Sequence, residues 1–214
     1  MNVPLVLLWS VWIGGGFLLG SVMFCRAIPR LLTGQDVTAL SDDGNPGAAN
    51  VFIHCGVPMG LLCLALDLAK GFLPVYWGMR VLDWQLLPFA AVLAAPTLGH
   101  ALAPLNRFNG GKCIATAFGV LLGLIPTSYI VLVLAGLYIF FSVAVKISPN
   151  RYRSMLTFLL FGSVCAVHFL RAGQYSLALG GCLVAAIAFL RHTRYFSTVP
   201  ADEPKPALRR RRAE

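Results

Sequence analysis

The chain has 214 residues, of which 58% are hydrophobic and 12% charged, and a formal net charge of +9; its mean hydropathy is +0.77. A soluble domain carries roughly twice that charged fraction, so a water-exposed globule is excluded and a lipid bilayer is the expected solvent. The basic excess sits at the ends of apolar runs, which fits membrane topology and gives no reason to expect nucleic acid as a partner.

Apolar segments fall at about 3–25, 51–66, 85–105, 113–125, 126–146, 154–171 and 174–190. The first has neither a basic n-region nor an A-x-A-like cleavage site and reads as a retained span. A hydrocarbon core of ~30 Å needs ~20 helical residues. Segments 51–66 and 113–125 are short for that, so each is expected to tilt, to be partly buried or to extend into its flanks. The run 113–146 is too long for one span, and Gly123 and Pro126 mark the expected break.

Charge gives an orientation. With the N-terminus outside and seven crossings, the inside loops hold Arg26 and Arg30, then Arg107 and Lys112, then Lys146, Arg151 and Arg153. Arg191, Arg194, Lys205 and Arg209 to Arg212 follow the last segment, which places nearly all of the 17 basic residues inside. Residues 1–196 are expected to form one membrane domain. Residues 197–214 read as a Pro-rich, polybasic and disordered cytoplasmic tail, which reinforces topology or attracts anionic lipid.

Cys25, Cys55, Cys63, Cys113, Cys165 and Cys182 form no C-x-x-C pair. They predict neither a disulfide framework nor a zinc site, and read as small apolar residues. No metal and no cofactor is expected.

Polar islands interrupt the apolar pattern. SDDGNPGAAN, Ser41 to Asn50, combines Gly44 and Gly47 with Pro46, Asn45 and Asn50. Such a loop is either an anion-binding nest or an Asx turn between helices. In DLAKG, Asp67 and Lys70 stand three apart and are expected to pair on one helix face. NGGKCIAT, Asn109 to Thr116, follows His100 and Asn106-Arg107. Gly110 and Gly111 allow a close backbone approach, Lys112 adds a cation, and Thr116 adds a hydroxyl one turn into a helix whose N-terminus favours anions. It is not a P-loop, because G-x-x-x-x-G-K-[ST] is absent. Ser154 and Thr157 share a helix face, with Ser154 either a site residue or a helix cap. Arg191-His192 ends the last segment, as a basic anchor or with His192 handling a proton or a phosphate oxygen. His54 and His168 read as histidines bonded to neighbouring helices.

Taken in order, Gly20-Ser21, GNPGA at 44–48, Asn50-Val51, DLAKG at 67–71, LGH at 98–100, GGK at 110–112, AT at 115–116 and Arg191-His192 resemble one family. It is the bacterial membrane glycerol-3-phosphate acyltransferase that uses acyl phosphate, and the resemblance covers about residues 10–196. It implies an all-α integral membrane protein, a bundle of about seven transmembrane helices in the bacterial inner membrane with a cytoplasmic site. The implied reaction moves a fatty acyl group from acyl phosphate to glycerol 3-phosphate, in membrane lipid, by a chain taken as a monomer. The implied catalytic residues are His192, Lys112, Asn45 and Ser154, with Asn45, Ser154 and His192 orienting the acceptor. Gly44, Gly47, Asn50, Gly110, Gly111, Thr116 and Arg191 are implied in phosphate binding.

The chain departs from the family pattern at several points. Asp42-Asp43-Gly44-Asn45 stands where the family has G-S-G-N, Ala49 and Ile53 where it has Thr and Arg, and Thr38 near a missing arginine. Cys113 replaces the second glycine of G-K-G, and Tyr195 the asparagine of R-H-x-x-N. These substitutions support the alternative of a non-catalytic relative that binds lipid or a partner membrane protein. An acyltransferase with another acceptor is a further alternative. A transporter would need more polar residues deep in its spans.

Overall fold

The computed structural model describes residues 4–41 and 44–193. Asp42, Asp43, Arg194, Tyr195 and the tail 197–214 lie outside the described residues. Among those described, the secondary structure is helical, with no strand.

Helix α1 (Leu5–Gly20) is apolar on nearly every face, as a lipid-bathed helix is. The chain breaks at 21–23 and α2 (Phe24–Thr33) leaves at 47°. Helix α2 buries Cys25 and Pro29, carries Arg26 and Arg30, and stops at Gly34, whose φ of 72° is left-handed. A single turn, α3 (Val37–Leu40), is capped by Asp36, which accepts from the Thr38 N–H at 3.1 Å.

The segment expected at 51–66 is two helices. Helix α4 (Ala48–Cys55) ends at Gly56, with φ 84°, and α5 (Val57–Val81) restarts at once with Pro58 in its first turn. The span is therefore 57–81 and contains DLAKG. Helix α6 (Phe89–Leu102) is the most enclosed element, packed by α1 and α10. Helix α7 (Ile114–Leu122) has 9 residues, a length of roughly 14 Å at 1.5 Å per residue, about half a bilayer core. It ends at Gly123, where the break was expected. Helix α8 (Val131–Ile139) runs into a π-helical turn, Phe140–Ala144. Helices α9 (Asn150–Arg171) and α10 (Tyr175–Arg191) form a hairpin that turns at Gly173, φ 70°. Among the described residues, three helical stretches, Val57–Val81, Phe89–Asn106 and Asn150–Arg171, are long and apolar enough to cross a membrane, and the bent α1–α2 pair makes four if it is one span.

Lipid tails are as apolar as leucine, so close packing, not exclusion from water, must join these helices. The glycines show it. A Cβ on Gly20 would lie 2.2 Å from the Pro96 carbonyl oxygen, and one on Gly99 2.0 Å from that of Phe17, so α1 and α6 touch backbone to backbone. Gly71 and Gly119 do the same between α5 and α7, at 2.3 Å from Thr116 O and 2.0 Å from Leu68 O. Phe89, Leu93, Phe158, Phe161 and Phe169 fill the interior. The expected Asp67–Lys70 pair is present at 2.7 Å and fully buried. Lys70 Nζ also donates to Val22 O at 2.6 Å and the Cys25 thiol to Asp67 Oδ2 at 3.1 Å, so this pair fastens the α1–α2 break to α5.

Candidate functional site

Residues 103–113 carry the chain from α6 back to α7. Ala103, Arg107, Phe108 and Cys113 all have positive φ, from 42° to 66°. Each non-glycine residue in that region costs roughly 1–2 kcal/mol, so surrounding contacts must impose the conformation. Five of them are hydrogen bonds. The Gly111 N–H donates to His100 O at 3.1 Å. Arg191, from the end of α10, donates Nε–H to Gly111 O at 3.0 Å and Nη2–H to Gly110 O at 2.6 Å. Asn106 Nδ2 donates to Asn109 O at 2.6 Å, and Arg26 Nη1 to Asn106 Oδ1 at 2.9 Å.

The two glycines are required by the same packing. A Cβ on Gly110 would lie 2.0 Å from Ala101 O, and one on Gly111 2.3 Å from His100 Nε2. The close approach expected for a ligand is thus made to the end of α6. The Gly111 amide is engaged by His100, so in this conformation it does not donate to a phosphate. Arg191 holds the two carbonyls in place. Cys113 sits at φ 66°, buried, its thiol 3.5 Å from Thr97 O. Its left-handed backbone explains why the related pattern has glycine there.

His192 follows α10 directly and is buried. Its Nδ1 lies 2.7 Å from Ala188 O. A carbonyl accepts only, so Nδ1 carries the proton and Nε2 presents a lone pair. Nε2 is buried and has no hydrogen-bond partner among the described residues. Burial pushes the imidazole from its ordinary 6.5 down to about 4, with Ala188 opposing and the charges of Lys112 and Arg191 adding to it. At neutral pH His192 is an uncharged hydrogen-bond acceptor beside two cations.

Ser154 stands in the second turn of α9, buried, because the helix starts at Asn150 after Pro149; it is not a helix cap. One turn on, the Phe158 ring lies 5.9 Å from Tyr138 and 6.2 Å from His192, so α8, α9 and α10 meet at this point. Thr157 donates to Arg153 O at 2.8 Å.

The structure therefore groups Gly110, Gly111, Lys112, Arg191 and His192, while Ser154 joins them through Phe158, one turn further along α9. Thr116 is fully buried on α7, its backbone carbonyl against Gly71 of α5 and its hydroxyl without a partner among the described residues. Gly44, at φ 61°, opens the turn into α4. There Asn45 O accepts from the Gly47 N–H at 2.9 Å and from Asn50 Nδ2 at 2.8 Å. Both bonds go to the Asn45 backbone carbonyl and help hold the turn that leads into α4.

Sequence reading missed Arg26 and Asn106. Arg26, read as a topology charge, also pairs with Asp36 at 3.2 Å, and so joins α2, the α3 cap and the 103–113 loop. Its position inside an amphipathic helix, one turn before Arg30, was the available signal. Among the described residues, no group of three His, Cys, Asp or Glu side chains could hold a metal ion.

Comparison with known proteins agrees with this architecture. The family model "Glycerol-3-phosphate acyltransferase" matches residues 10–199. The glycerol-3-phosphate acyltransferase of Anaeromyxobacter sp. (strain K) is 32% identical over 211 residues, covering 93% of this chain and 97% of that one. That of Hydrogenobaculum sp. (strain Y04AAS1) is 31% identical over 180 residues, covering 83% of this chain and 86% of that one. The crystal structure of PlsY (YgiH), an integral membrane glycerol 3-phosphate acyltransferase, in its glycerol 3-phosphate form superposes with a TM-score of 0.72 at 23% identity, over 86% of this chain and 88% of that one. Family match and relatives together establish that the chain belongs to the glycerol-3-phosphate acyltransferase family.

Proposed function

We propose that this chain transfers a fatty acyl group from acyl phosphate to a hydroxyl of glycerol 3-phosphate, giving lysophosphatidate and phosphate. The observation that carries the reading is His192, uncharged and with a bare Nε2, set beside Lys112 and the clamped Gly110-Gly111 turn. In the reaction the acceptor hydroxyl oxygen bonds to the acyl carbon, the bond from that carbon to the phosphate oxygen breaks, and phosphate leaves with the electron pair. The hydroxyl proton is lost to the departing phosphate or to solvent. His192 Nε2 orients the hydroxyl by accepting its hydrogen bond. At a pKa of about 4 it acts as an acceptor, being too weak a base to keep the proton. Lys112 supplies positive charge for a phosphate, and Ser154, one turn before the Phe158 ring that lies 6.2 Å from His192, supplies a hydroxyl from α9. Acyl phosphate is already an activated donor, so positioning and charge supply most of the rate.

The site faces the cytoplasm, with the N-terminus outside and the C-terminus inside the bacterial inner membrane; the basic residues of the loops support this orientation. The test is transfer from palmitoyl phosphate to labelled glycerol 3-phosphate by purified protein in lipid. Product from the parent and at least tenfold less from Lys112→Ala is expected, since one charge-assisted contact is worth roughly 1.5–3 kcal/mol. A folded parent that forms no product from this pair would overturn the reading and favour a non-catalytic relative.

A further inference from the structure

We propose that the cavity between the α1–α2 break and the loop after α6 binds the phosphate headgroup of an anionic phospholipid. The cavity measures about 350 Å³ and is walled by Ser21, Arg26, Arg30, Leu105 and Asn106. Arg26 and Arg30 stand one helical turn apart, where like charges repel unless an anion lies between them. Asp36 pairs with Arg26. Arg30 pairs with no carboxylate among the described residues, which leaves the cavity a net positive charge. The Nε–H of Arg26 is buried and has no acceptor among the described residues. Val22 and Met23 bring the N-terminal end of α2 to the same wall, and its dipole favours an anion.

The surroundings select a lipid over a soluble phosphate. Leu31, Leu32, Leu105 and Phe108 are 83%, 62%, 64% and 70% exposed around this end of the bundle. An amphipathic helix with exposed leucines and arginines, hinged from the end of an apolar helix, lies in the membrane interface. Its arginines extend to the headgroups while its leucines meet the acyl chains. A phosphodiester in the cavity would carry its chains over those leucines. Asn106, a wall residue, also donates to Asn109 O, so an occupant would steady the loop that precedes Gly110.

Thermal unfolding and native mass spectrometry of the full chain in nanodiscs test this, independently of turnover. Three conditions are compared: phosphatidylcholine alone, phosphatidylcholine with phosphatidylglycerol, and phosphatidylcholine with inorganic phosphate. Phosphatidylglycerol is expected to raise the unfolding temperature and to remain bound. Arg30→Gln is expected to weaken retention about fivefold, the value of one basic residue at an anionic surface. Arg171→Gln, from the end of α9, is the charge-matched control and should retain lipid like the parent. Arg30 makes no described side-chain bond, so its variant should fold. Equal retention by Arg30→Gln and the parent, no effect of phosphatidylglycerol, or equal protection by inorganic phosphate would each overturn the proposal.

Discussion

The turn at 44–50 and the loop at 103–113 both connect helices through glycine and asparagine, and are held in opposite ways. In the first, Asn45 O gathers bonds from Gly47 and Asn50 within six residues of sequence. In the second, side chains from distant positions fix the backbone: Arg191 clamps Gly110 and Gly111, and Arg26 holds Asn106. The bonds described in the first turn are local in sequence. The long-range loop bears four non-glycine residues at positive φ, a conformation that local preference opposes. A loop imposed by its neighbours is the one whose distant contacts matter most.

The largest effect should come from cutting the clamp. Arg191→Ala is expected to lower acyl transfer about 100-fold, the penalty of roughly 1 Å of misplacement, and Arg191→Lys should not restore it, since a lysine cannot reach both carbonyls as a fork. A steady-state assay of the three proteins checks this. His192→Ala is expected to lower kcat by at least tenfold with little change in KM for palmitoyl phosphate, as the role proposed for His192 in orienting the acceptor requires.

His192 also predicts a pH dependence of stability. Its folded value, about 4, is below its ordinary 6.5. The unfolded chain therefore takes up the proton first as pH falls. Stability is fully present above about 6.5 and declines toward 4, by roughly 1–2 kcal/mol between pH 7 and 5. Unfolding of the parent at both pH values should show the decline, and His192→Gln should reduce it.

Packing effects come next. Gly111→Ala places a methyl 2.3 Å from His100 Nε2 and should destabilise by about 1–3 kcal/mol. Cys113→Gly relieves a left-handed residue and loses a buried thiol, so stability should change by less than about 1 kcal/mol. Cys113→Val puts a branched side chain at φ 66° and should be clearly worse. In the local turn, Asn50→Ala removes the bond to Asn45 O and should cost at least about 1 kcal/mol. Thermal unfolding in one detergent ranks all four.

Much of the fold was legible because helical apolar runs report lipid contact directly. The Gly123 break and the Asp67–Lys70 pair followed from local rules. Gly56 was harder, since a lone glycine in an apolar run predicts no positive φ by itself, and segment 51–66 read as one helix. The site was half legible. Gly110-Gly111-Lys112, Arg191 and His192 stood out by type, while the function of the glycines did not. Nothing near Gly111 in sequence indicates His100's ring or Arg191's guanidinium. Thr116 shows the converse: its spacing points to the hydroxyl, while the described contact, against Gly71 of α5, is made by its backbone carbonyl.

The most direct measurement is a double-mutant cycle of Lys112→Ala and Arg191→Ala, read as transfer from palmitoyl phosphate to glycerol 3-phosphate. If Arg191 acts by placing the loop that carries Lys112, the double variant is little slower than the slower single one. Fully additive losses would mean that the two residues act independently, and would contradict the clamp as the device that builds this site.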